Sequence, residues 1–190
     1  MFIVYGSKYG AAKRYAEEFA RRTGGKAVPY KQARHAGEDT LVYFGGVYAG
    51  GVKGLARTAK RLNAESVSRI LAATVGLSDP ADEKNAQNLR NAVFAAVPAP
   101  LHGKVQVFHL RGAIDYSKLS APHRFLMKLM YSFEKRTPPE RRGPEARAIV
   151  ETYGKAADFT DFSALEALQR SAEKFAEKTA EKSTNGGKTE

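Results

Sequence analysis

Apolar segments of strand length alternate with segments of helical period along most of this 190-residue chain, a pattern that points to a parallel sheet with helices on both faces. Residues 2–6 read as the first strand. Ala12, Tyr15, Ala16, Phe19 and Ala20 then form one helical stripe, with Lys13, Arg14, Glu17, Glu18, Arg21 and Arg22 on the opposite side, until Gly24-Gly25 ends the helix. Residues 26–30 read as a short edge strand, because Pro29 has no N–H for a ladder, and residues 40–46 as a third strand apolar enough to be buried on both faces. After a glycine-rich loop, Val52, Leu55, Ala56, Ala59 and Leu62 share a helix face, and residues 69–76 supply a fourth strand.

Asp79-Pro80 has the form of an N-cap followed by proline at the first helical position, opening a helix that carries Ala86, Leu89, Val93 and Val97. A fifth strand is expected at 104–110. Ser163-Ala164-Leu165-Glu166 has the form of a capping box, followed by Leu165, Leu168, Ala172, Phe175 and Ala176 on a last helix. The length fits one domain, taken as residues 1–182, with 111–160 as an added helical and basic excursion. The tail 183–190, rich in Ser, Thr, Gly, Asn and Lys, has nothing to bury and is expected to be mobile.

The chain has no cysteine, which excludes disulfides, thiolate metal sites and a cysteine nucleophile, and a reducing cytoplasm is the natural expectation. His35, His102, His109 and His123 are scattered without metal-ligand spacing, so no metal site is expected. The start Met-Phe-Ile-Val opens on a strand, which argues against a secretory signal, and no apolar run has the length of a membrane span. The net charge of +11 favours anionic partners. Nucleic acid is disfavoured among them, since neither a helix-turn-helix nor a zinc pattern is present.

The turn after the first strand, Ser7-Lys8-Tyr9-Gly10-Ala11-Ala12, runs straight into the first helix. A helix N-terminus offers unpaired N–H groups and partial positive charge, and Gly10 lets a ligand approach the backbone, so an anion such as a phosphate fits here. The turn has neither the Gly-x-Gly-x-x-Gly dinucleotide fingerprint nor the Gly-Lys-Ser/Thr ending of a P-loop. No His, Cys or carboxylate constellation marks hydrolytic chemistry, so catalytic residues stay unknown and any activity would rest on a cofactor.

Three segments, Tyr5-Gly-Ser-Lys-Tyr-Gly10, Phe44-Gly-Gly-Val-Tyr-Ala-Gly-Gly51 and Phe108-His-Leu-Arg-Gly-Ala-Ile-Asp-Tyr-Ser-Lys-Leu119, resemble those of flavodoxin-domain proteins related to menaquinone-dependent protoporphyrinogen IX dehydrogenase. The resemblance covers roughly residues 1–165. It implies an α/β, flavodoxin-like doubly wound sheet of five parallel strands in the order 2-1-3-4-5, with helices on both faces and a helical excursion after strand five. It also implies FMN, with its phosphate on the turn from Ser7 through Lys8, Tyr9, Gly10 and Ala11 to Ala12. Val47, Tyr48, Ala49 and Gly50 would hold one side of the ring, and Leu77, Ser78 and Asp79 the other. Ser7 and Gly10 keep positions of the family's Thr-x-Thr-Gly-x-Thr pattern, whereas Tyr9 and Ala12 replace its second and third threonines and weaken phosphate binding.

For several of these residues a plainer role is also open: Asp79 as a helix cap, His109 as a packed histidine, and Asp115 and Tyr116 as turn formers. Residues 104–147 hold ten basic residues against four acidic ones. Within them, the amphipathic stretch 118–136 fits a membrane interface at the inner face of a membrane, packing on the sheet, or a homodimer contact. The function implied is an FMN-dependent oxidoreductase that exchanges two electrons with an anionic, protoporphyrinogen-like substrate and a quinone, with Arg111, Arg124 and Lys128 attracting propionates. A one-electron carrier and a cofactor-free binding module on the same fold are the other readings.

Overall fold

The computed structural model describes residues 1–34 and 37–174. The expected tail 183–190 and the helix positions Phe175 and Ala176 lie outside the described residues. Five parallel strands form the sheet: β1 (Phe2–Gly6), β2 (Ala27–Pro29), β3 (Thr40–Tyr48), β5 (Arg69–Gly76) and β6 (Val105–Arg111), in the order β2-β1-β3-β5-β6. The chain passes from β1 to β2 on one side and returns as β3 on the other, so the strand order reverses at the β1/β3 pair. β2 is the edge strand that Pro29 requires.

Both faces of the sheet are covered. On one, Ile3, Val42, Phe44, Leu71 and Leu110 pack against Tyr15 and Phe19 of α1 (Ala11–Thr23) and against Leu165 and Leu168 of α6 (165–174). On the other, Val4, Leu41, Tyr43 and Ile70 meet Leu55 of α2 (Leu55–Ala59) and Val93 of α3 (Glu83–Ala96). Burying one such large side chain stabilises by about 1.5–3 kcal/mol, which explains the continuous apolar character of β3 and β5.

Local chemistry moves several boundaries away from the sequence reading. β3 runs on to Tyr48 because it folds back on itself as a hairpin with the short antiparallel strand β4 (Gly51–Val52), which takes Val52 out of the expected helix. A 3₁₀ turn over Ala99–Lys104 precedes β6, so Lys104 lies outside the strand. Asp82, three residues later than expected, caps α3 by accepting the Asn85 N–H at 3.1 Å; the Asp79 carboxylate serves its own turn by accepting the Ala81 N–H at 2.9 Å. Residues Phe162–Ala164 form a 3₁₀ turn in which Asp161 accepts the Ser163 N–H, where a Ser163 capping box was expected.

The excursion after β6 is built from the two-stranded antiparallel ribbon of β7 (Ala113–Asp115) and β8 (Ala156–Asp158), together with α4 (Ala121–Glu134) and α5 (Pro144–Thr152). A bidentate pair ties it to the sheet: Arg14 on α1 donates to both Asp158 oxygens, at 2.8 and 2.9 Å, and to Thr160 at 2.7 Å. Both side chains are about half exposed, at 43% and 53%, so the pair is worth only about 1 kcal/mol.

The guanidinium holds the Asp158 carboxyl well below the usual carboxylate range. Its stabilisation is therefore complete above about pH 4 and is lost as the pH falls through the depressed folded value. Asp158→Asn is expected to cost about 1 kcal/mol at neutral pH in urea unfolding, a difference from the parent that shrinks as the pH falls below 4. A cost that is unchanged across that range contradicts this account.

Candidate functional site

The carboxyl ends of β1, β3, β5 and β6 open into one cavity of about 490 Å³. Its floor begins at β1, whose last residue, Gly6, allows close packing of the segment after β4. A methyl there would collide with the Lys53 carbonyl oxygen and come within 2.7 Å of the Tyr43 hydroxyl, which itself donates to that carbonyl at 2.6 Å. In the following turn the Ser7 hydroxyl accepts the Gly10 N–H at 3.0 Å, and Gly10 takes the left-handed φ of 101° that only glycine adopts freely. Helix α1 starts here without a side-chain cap, so the N–H groups of its first turn bring the partial positive charge of a helix N-terminus to the cavity.

The second wall is the β3–β4 hairpin. Its two central residues, Ala49 and Gly50, have φ of 48° and 73°, the backbone of a two-residue type I′ turn. Glycine and asparagine suit that turn; alanine at its first position stores strain. The hairpin carries Tyr48 across to the first turn, where its hydroxyl accepts the Lys8 N–H at 3.2 Å. The Tyr48 hydroxyl thus caps one of the turn's N–H groups. Burial raises its pKa, against the lowering effect of the Lys8 and Tyr9 N–H groups.

The third wall is made by Val75, Gly76, Leu77 and Ser78 at the end of β5, and by Gly112, Ala113 and Ile114 after β6. Gly112 N–H bonds the Gly76 carbonyl at 2.6 Å, and a methyl on Gly112 would lie 3.0 Å from Val75. Helix α4 is the roof. It buries none of its residues fully; His123, Leu126, Met127 and Met130 face the cavity, with Ile149 of α5 beside them. Its other side exposes Phe125 (71%), Leu129 (44%) and Phe133 (62%), and Leu126, at the cavity's edge, is as exposed as Leu129.

Of the residues expected at a cofactor site, Ser7, Tyr9, Ala11, Ala12, Val47, Tyr48, Ala49, Gly50, Leu77 and Ser78 line this one cavity. Lys8 and Gly10 shape its first turn without lining it, and the Asp79 carboxylate is turned toward Ala81. Arg111 and Arg124, expected to face substrate, are engaged locally. Arg111 donates to the Leu77 carbonyl at 3.2 Å and stacks 3.9 Å over Phe159, and Arg124 donates to the Leu119 carbonyl at 3.3 Å. His109 is half-buried against the Thr74 hydroxyl at 2.8 Å, and its pKa is lowered by burial and then by Arg90.

His123 is the residue that sequence reasoning missed. Its ring lies 3.1 Å from Lys8 Nζ and 2.6 Å from the Tyr9 hydroxyl. His123, Met127 and Met130 share one helical stripe opposite Phe125, Leu129 and Phe133, but the spacing alone does not say which stripe meets the cavity.

The family model of the flavodoxin domain matches residues 2–140 of this chain. The chain belongs to the flavodoxin domain family. This agrees with the parallel sheet and its strand order. No curated protein matches it significantly. Among solved structures, the Trp repressor binding protein from Bacillus subtilis is similar at 15% identity and a TM-score of 0.38, over 58% of this chain and 81% of that one.

Among the described residues no group of three or more His, Cys, Asp or Glu side chains is placed to hold a metal ion, and no helix is long and apolar enough to cross a membrane. The strain at Ala49 gives a direct check on the hairpin wall. Ala49→Gly is expected to raise stability by about 0.5–1 kcal/mol, the αL cost of alanine less the entropy cost of glycine. An unchanged or lowered midpoint in urea unfolding contradicts the type I′ assignment.

Proposed function

We propose that this flavodoxin-domain protein is an FMN-dependent oxidoreductase acting on an organic substrate. The observation that carries the reading is the uncapped N-terminus of α1 opening into a walled and roofed cavity at the sheet's switch point. The residues present fit the cofactor. The first-turn N–H groups of α1 are available to a phosphate, with Ser7, Lys8, Tyr9, Gly10, Ala11 and Ala12 forming the turn and the Tyr48 hydroxyl holding Lys8 N–H beside it. Val47, Tyr48, Ala49 and Gly50 would border one side of the ring, and Leu77 and Ser78 the other, with the Asp79 backbone beyond them.

When bound, the flavin supplies two-electron redox chemistry, and the chain supplies position, charge and exclusion of water. α4 roofs the cavity with Met127 and Met130, which favours a small organic partner over a protein that must approach the cofactor edge directly. Lys8 and Lys53 put positive charge beside the Tyr48–His123 end of the cavity. Positive surroundings ease the addition of electrons to a neighbouring group, in keeping with two-electron oxidation of an anionic substrate.

The finer reading is oxidation of a protoporphyrinogen-like tetrapyrrole, which loses two electrons and two protons per step, with a quinone taking them up as quinol. Its support is the sequence resemblance over residues 1–165. The exposed Phe125, Leu129 and Phe133, flanked by Arg124, Lys128 and Lys135, suit contact of 118–136 with an anionic lipid surface that carries quinone.

Titration with FMN should quench flavin fluorescence at a stoichiometry of one. Ser7→Ala should weaken FMN binding about tenfold while leaving riboflavin binding unchanged. Absence of binding at high FMN concentration sinks the cofactor assignment. For the substrate, an anaerobic assay with protoporphyrinogen and a menaquinone analogue in anionic vesicles should show turnover above that of free FMN; turnover at the free-FMN rate sinks the finer reading.

A further inference from the structure

Three elements that are distant in sequence bring two lysine ammonium groups and an imidazole to one rim of the cavity. The first turn contributes Lys8, the segment after β4 contributes Lys53, and α4 contributes His123. Among the described residues no carboxylate pairs with any of the three. Lys53 Nζ instead sits 5.6 Å from the centre of the Tyr48 ring, and Lys8 Nζ lies against the His123 ring. Two ammonium groups and an imidazole gathered at the edge of a cavity, with no carboxylate among them, make a local potential that attracts anions.

The protons of the cluster can be placed from donor chemistry alone. A lysine ammonium has three donors and no acceptor, so His123 Nε2 must accept from Lys8, and the neutral ring carries its proton on Nδ1. Nδ1–H then donates to the Tyr9 hydroxyl oxygen at 2.6 Å. Tyr9, a cavity-lining residue, keeps its own O–H proton for another acceptor. The charged or titratable groups facing His123 are Lys8 and Tyr9 from the turn, Tyr48 from β3 and Lys53 after β4; Arg124, its neighbour on α4, is turned to the Leu119 carbonyl. Burial, then Lys8 and Lys53, push the His123 pKa below its ordinary value, the same direction that the donor arrangement requires.

We infer that Lys8, Tyr9, Lys53 and His123 form an oxyanion site in which binding of a phosphate or carboxylate group is coupled to protonation of His123. An oxyanion entering between Lys8 and His123 replaces a donor-only contact with two charge-assisted hydrogen bonds. It offsets the repulsion among the cations, so His123 takes up one proton as the anion binds. The same event ties α4 to the first turn through the anion. The inference rests on the proposed function only for the source of the oxyanion, which is either the cofactor's phosphate or a carboxylate of the substrate.

The test follows the His123 ring by NMR from about pH 5 to pH 8 in the full chain, with the signal assigned by its loss in His123→Gln. Titrations are recorded alone and with inorganic phosphate, succinate, FMN or riboflavin. Phosphate is expected to raise the His123 midpoint by about one unit and to leave that of the half-buried His109 unmoved. Lys8→Met with Lys53→Met is expected to remove most of that rise.

A rise with FMN and none with riboflavin supports the site and assigns the oxyanion to the cofactor. A rise with succinate and none with FMN supports the site and assigns it to the substrate, even if the FMN reading has failed. A His123 midpoint that does not move with phosphate, succinate or FMN overturns the inference.

Discussion

The reversal of strand order between β1 and β3 is the constraint on which the rest of this molecule depends. The crossovers leading out of neighbouring strands part to opposite sides there, and a crevice opens at the carboxyl ends. Everything that faces the cavity is placed by that ladder. The Tyr5–Phe44 and Gly6–Gly45 register sets the first turn beside the hairpin, and the Gly76–Arg111 register brings Gly112 to the same rim. Glycines at Gly6 and Gly112 hold the walls this close, since a methyl at either would meet a neighbouring segment.

Much of this was legible in the sequence, for a physical reason. Buried parallel strands must be apolar throughout, so the runs at 40–46 and 69–76 announced themselves, and the stripe of Tyr15 and Phe19 fixed α1. The turn at Ser7–Ala12 and the Val47–Gly50 and Leu77–Ser78 segments come to one cavity because the fold gathers the carboxyl ends of the strands.

What the sequence hid was set by contacts distant along the chain. The β3–β4 hairpin depends on a turn with two positive φ values, one of them at Ala49, and nothing local to an alanine signals that conformation. Asp82 and Asp79 are both plausible caps by composition; the Asp82–Arg147 pair, at 3.0 Å, joins the chosen cap to α5. α4 was ambiguous because it is apolar on two sides. One side meets the cavity and the other remains exposed, and no periodicity within 118–136 distinguishes a roof from a core helix. His123 gained its meaning only when α4 was laid over the first turn.

The central claim is that one bound FMN engages the first turn, the hairpin and the roof together. Amide hydrogen exchange with and without FMN tests it most directly, because it reports where on the chain the ligand acts. The account predicts slower exchange at residues 8–13, 47–50 and 77–78, together with the first turns of α4. Unchanged exchange in those segments at saturating FMN, or protection confined to another surface, would contradict it.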